Sequence, residues 1–112
     1  MTAALTAARH GLRTLVVEKA EHFGGSSARS GGGVWIPGNA ALQRARVKDT
    51  PEAAAQYLAG IVGPDGDPAL QAAFLRHGPG MLALVEELTP LRFQWVRGYS
   101  DYYPQMPAAA GR

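Results

Sequence analysis

A chain of 112 residues, 46% hydrophobic and 18% charged, has the composition of one small globular domain or of part of a larger one, not of a disordered segment. It contains no cysteine, which excludes a disulfide framework and a thiolate metal site, and its three histidines (His10, His22, His77) lack zinc-ligand spacing. The formal net charge is only +2 and the arginines are spread singly, so there is no nucleic-acid footprint, and no apolar run approaches the roughly 18 residues of a membrane span.

Taken in chain order, Thr2 to His10 is alanine-rich, with Leu5, Ala8 and Leu12 at helical spacing. This predicts a helix closed by Gly11. Arg13 to Glu18 follows, and its Leu-Val-Val centre is apolar on both faces, the pattern of a buried parallel strand. Lys19 to Gly33 is irregular and rich in glycine and serine. Val34-Trp35-Ile36 is a short apolar stretch stopped by Pro37-Gly38, and Asn39 is placed to cap a short helix to about Arg46.

Thr50-Pro51-Glu52 reads as cap, first position and first turn of a helix running to about Val62 and stopped by Gly63-Pro64. Asp67-Pro68 repeats that start for a helix to about His77. A separate helix is predicted over 78–88, with Met81, Leu84, Val85 and Leu88 on one face. Phe93 to Val96 alternates weakly, as a strand would, and the remainder from Gly98 is a Tyr/Pro/Gly-rich loop. A strand buried on both faces needs neighbours on each side. Only one convincing strand is present, which points to part of a βαβ unit, although composition alone also allows a complete helical domain.

Two segments carry chemistry. Helix, Gly11, strand and then Glu18 is the order in which dinucleotide-binding folds place an acidic residue to accept hydrogen bonds from ribose hydroxyls. The glycine loop that makes that pattern specific is not in the sequence, and without it the competing reading, that Glu18 merely ends a strand and faces solvent, is the stronger. The second segment runs from Gly24 to Gly33. Its glycines would let backbone amides approach a phosphate or a flat ring closely, and its serines add donors. The competing reading is a flexible linker.

Joined, these segments are far more specific. Leu15-Val16-Val17-Glu18-Lys19, then Phe23-Gly24-Gly25-Ser26-Ser27-Ala28-Arg29-Ser30-Gly31-Gly32-Gly33, then Trp35-Ile36-Pro37-Gly38-Asn39, resemble the fumarate reductase/succinate dehydrogenase-like FAD oxidoreductases. Within that superfamily the Ser-Ala-Arg-Ser-Gly-Gly-Gly-x-Trp-x-Pro pattern is similar to the 3-ketosteroid Δ1-dehydrogenases. So are Tyr99-Ser100-Asp101-Tyr102-Tyr103-Pro104 and Asp49-Thr50-Pro51-Glu52-Ala53-Ala54 with Tyr57-Leu58.

The resemblance implies an α/β fold class: a partial Rossmann-like FAD-binding segment over 1–39 lacking its first strand, then a mainly helical continuation over 40–112 that ends in a substrate-pocket loop. It implies FAD as cofactor and a steroid or related ketone as substrate. Glu18 would hold the adenosine ribose and Lys19 would lie beside the adenine end. Gly25, Ser26 and Ser27 would approach the pyrophosphate and ribityl region, and Ser30, Gly31, Gly32 and Gly33 would line the flavin ring. Tyr102 would reach the substrate pocket and support removal of a proton next to the ketone, the neighbouring hydride passing to the flavin.

The family's glycine loop would precede Met1 and a long further stretch would follow Arg112, so the resemblance also implies that this chain alone binds FAD weakly or not at all and is inactive. No secretory pattern opens the sequence, and a cytoplasmic location is expected. A small non-catalytic helical binding module and a truncated reading frame without function stand as alternatives.

Overall fold

The computed structural model describes all of residues 1–112 and contains five helices. The chain divides into two compact units, Met1–Trp35 and Ile36–Arg112.

In the first unit, α1 spans Thr2–Arg9 and α2 spans Gly25–Arg29. Helix α1 forms where the alanine-rich run predicts it. At its end Gly11 adopts φ +75°, its N–H donates to the Ala8 carbonyl at 2.9 Å, and the Leu12 N–H donates to the Ala7 carbonyl at 3.0 Å. This paired closure requires a residue in the left-handed region, which glycine enters without steric cost.

The strand expected over Arg13–Glu18 does not form: the segment is in neither helix nor ladder, and Leu15 and Val17 are 84% and 82% exposed. A parallel strand exists only through hydrogen bonds to a neighbouring strand, and nothing in this chain supplies one. Helix α2 lies inside the stretch read as irregular. Gly24 permits it, turning the chain at φ +104° immediately before the helix.

In the second unit, α3 spans Ala40–Arg44, α4 Pro51–Val62 and α5 Pro68–Leu88. Each starts on the predicted cap. Asn39 Oδ1 accepts from the Ala41 and Leu42 amides at 2.8 and 3.1 Å, Thr50 Oγ1 from Ala53 at 3.2 Å, and Asp67 Oδ1 from Ala69 at 2.8 Å. Helices α3 and α4 both pack on α5. The core is Ile36, Ala41 and Leu42, Ala54 and Tyr57, and Leu82 and Val85.

The two helices predicted on either side of Gly78 are one. Pro79 withdraws the N–H that an uninterrupted ladder would offer to the Leu75 carbonyl, yet α5 runs through it. Packing explains the continuity. A Cβ on Gly78 would stand 3.1 Å from Ile36 Cγ2, so the helix backbone rests almost directly on the core. The buried seam is Gly78, Leu82 and Val85. Of the predicted stripe, only Val85 lies in that seam, with Met81 and Leu84 half-buried and Leu88 exposed.

The weak strand at Phe93–Val96 is also absent. Side chains occupy its backbone groups: the Phe93 N–H donates to Glu86 Oε1 at 2.9 Å, and its carbonyl accepts from Arg44 Nη2 at 2.9 Å.

Candidate functional site

The first unit carries Glu18, Lys19 and the residues from Gly25 to Gly33. Glu18 folds back on its own turn, where Oε1 accepts from the Lys19 amide at 2.7 Å and the Ala20 amide at 2.9 Å. These hydrogen bonds, Ala20's first, hold its carboxyl below the usual carboxylate value. The group is therefore an ionised acceptor at neutral pH. A carboxylate has about four acceptor sites, so the turn uses only part of its capacity.

Gly25, Ser26 and Ser27 form the first turn of α2, where helix geometry provides no intrahelical acceptor for the amides. All three are exposed. The Ser30 hydroxyl braces the exit from α2, donating to the Ser27 carbonyl at 2.8 Å and accepting from the Gly32 amide at 3.1 Å. That hydroxyl shapes the loop in addition to any role toward a ligand.

The glycines of this segment differ in what demands them. A Cβ on Gly24 would stand 2.7 Å from Ala28 Cβ. Gly32 has φ +75°. Gly31 and Gly33 have neither constraint: their φ angles lie outside the left-handed region and an added Cβ would meet nothing within 4 Å. Neither local strain nor packing within the chain requires glycine at those two positions.

Tyr102 belongs to the second unit and is 83% exposed. Its ring meets that of Tyr103 edge-on, with centroids 5.4 Å apart. An open hollow nearby is lined by Trp95, Gly98, Tyr99, Ser100 and Gly111, and Tyr102 is not among its walls.

Beneath the tyrosine pair lies a cluster that the sequence did not single out. Arg112 Nε donates to Asp49 Oδ1 at 2.9 Å and Nη1 to Asp101 Oδ2 at 3.0 Å, with the three side chains 2%, 4% and 0% exposed. Arg112 Nη2 donates to the Ala108 carbonyl at 3.0 Å, and the guanidinium carbon stands 5.6 Å from the centre of the Tyr57 ring. Asp49 Oδ2 accepts from the Gly38 amide at 2.8 Å. The Tyr57 hydroxyl accepts from the Tyr103 amide at 2.9 Å.

One short unit thus brings together exposed residues in the first turn of α2, glycines open to an added side chain and a carboxylate held below its usual value. The family model described as FAD binding domain matches residues 1–110, and the chain belongs to that family. More particularly, it is closely related to the 3-ketosteroid Δ1-dehydrogenases. It is 61% identical over 107 residues to the 3-oxosteroid 1-dehydrogenase of Mycobacterium tuberculosis (strain ATCC 25618 / H37Rv), covering 96% of this chain and 19% of that protein.

It is 37% identical over 109 residues to the 4-oxocyclohexanecarboxylate 2-dehydrogenase of Sinomonas cyclohexanicum, covering 97% of this chain and 19% of that one. Among solved structures it matches the 3-ketosteroid Δ1-dehydrogenase of Sterolibacterium denitrificans in complex with 1,4-androstadiene-3,17-dione. The TM-score is 0.86 at 37% identity, over 98% of this chain and 19% of that one. The chain thus spans about one-fifth of the length of these relatives. None of its helices is long and apolar enough to cross a membrane.

Proposed function

We propose that this chain forms part of the FAD-binding domain of an oxidoreductase that desaturates a 3-ketosteroid next to its ketone. The observation that carries the reading is the 61% identity to a 3-oxosteroid 1-dehydrogenase over 96% of the chain. The residues fit FAD by their chemistry. Gly31 and Gly33 leave a face that a Cβ would cover and that nothing in the chain fills, and the first turn of α2 offers exposed amides to oxyanions.

In this reading Glu18, already ionised, accepts from the ribose hydroxyls and Lys19 lies at the adenine end. Gly25, Ser26 and Ser27 face the pyrophosphate and ribityl region. Ser30, Gly31, Gly32 and Gly33 line the flavin ring. Bound FAD supplies the two-electron acceptor that no side chain of this sequence can provide. Tyr102 presents a solvent-accessible phenol to the substrate pocket, where it supports removal of the proton next to the ketone.

The reading is tested with a chimera in which this chain replaces the matched segment of the 61% identical relative. Desaturation of a 3-oxosteroid within about tenfold of the parent rate, a change of about 1.4 kcal/mol in barrier, is the expected result. A folded, flavin-loaded chimera that acts on 4-oxocyclohexanecarboxylate but not on the steroid would move the assignment to the smaller ketone.

A further inference from the structure

We infer that Arg112, with Asp49 and Asp101, is a positioning device for the tyrosine pair Tyr102–Tyr103, and through it for the catalytic role proposed for Tyr102. The inference rests on the proposed function for the catalytic half only.

The geometry of the cluster is that of a clamp. One guanidinium reaches two carboxylates and a carbonyl through three of its nitrogens, and all three charged side chains are buried. Asp49 stands just before α4 and also accepts from the Gly38 amide, so it belongs to the helical frame. Asp101 immediately precedes Tyr102. Its backbone amide donates to the Ala110 carbonyl, and its Oδ2 accepts from the Ala110 amide at 2.9 Å. Arg112 therefore ties the residue before Tyr102 to the frame.

The residue after Tyr102 is also pinned, because the Tyr103 amide donates to the hydroxyl of Tyr57, a core residue of α4 lying under the same guanidinium. Tyr102 is fixed on both sides through its neighbours while its own side chain stays exposed. That is how a reactive side chain is held without its polar atom being consumed. A fork of donors is required: lysine offers a point charge and cannot hold two carboxylates and a carbonyl in one plane.

The test is amide hydrogen exchange on the 112-residue chain and on its Arg112→Lys and Tyr57→Phe variants. For Arg112→Lys the expected result is a rise of at least about tenfold in exchange at Asp101, Tyr103 and Ala110, with the amides of Tyr57 in α4 and Val85 in α5 unchanged. Tyr57→Phe should affect Tyr103 alone. Loop amides that keep their protection in both variants, or lose it only in step with the helix amides, would overturn the proposal. So would a Tyr103 amide that is unprotected in the parent chain.

In the chimera described above, Arg112→Lys should lower kcat about tenfold or more with KM and flavin content unchanged. An unchanged kcat would overturn the link to catalysis. Full activity in a Tyr102→Phe chimera would remove the role proposed for Tyr102 and leave the exchange result standing.

Discussion

Gly24 and Gly31 are glycines for different physical reasons. At Gly24 the chain itself forbids a side chain, through φ +104° and a 2.7 Å approach to Ala28. Gly24→Ala should cost about 1–2 kcal/mol, seen as faster amide exchange across α2, whereas Gly31→Ala should leave that exchange unchanged. Glu86 provides a second test at this scale. The Arg44 guanidinium, at 2.9 Å, and the Phe93 amide hold its carboxyl below the ordinary value of 4.5. A carboxyl with a depressed folded value stabilises the fold above its unfolded pKa and loses that contribution as the pH falls through its folded value. Thermal melts should therefore show a stability loss on acidification below about 4.5, and Glu86→Gln should flatten part of that slope.

Among the elements, the helix starts were legible because caps are local: Asn39, Thr50 and Asp67 each bond to an amide two or three residues ahead. Most of what failed depends on distant chain, although α2, set by the local turn at Gly24, was also missed. Arg13–Glu18 has the composition of a strand and no strand beside it. Pro79 is a strong local stop that the Gly78–Ile36 contact overrides. Replacing that proline restores the missing donor to Leu75. Pro79→Ala should raise the stability of the second unit by about 1–3 kcal/mol, read as a higher melting temperature. If it lowers stability instead, the ring itself fills space against the core, and the account of α5 is wrong.

For the molecule as a whole, the family was legible in the order of a few short motifs. The Arg112 cluster was not, because its partners lie 11 and 63 residues from the arginine and no pattern of neighbours announces them. The proposed function puts the flavin against the open face beside Gly31. Gly31 needs no special φ and its Cβ would touch nothing in the chain, so Gly31→Val should harm a ligand there and not the fold. The direct measurement is the flavin absorbance of the purified chimera with and without that substitution, with circular dichroism alongside. The account predicts stoichiometric flavin in the parent chimera and its loss in a Gly31→Val protein of unchanged helicity. A Gly31→Val protein that retains full flavin would contradict it.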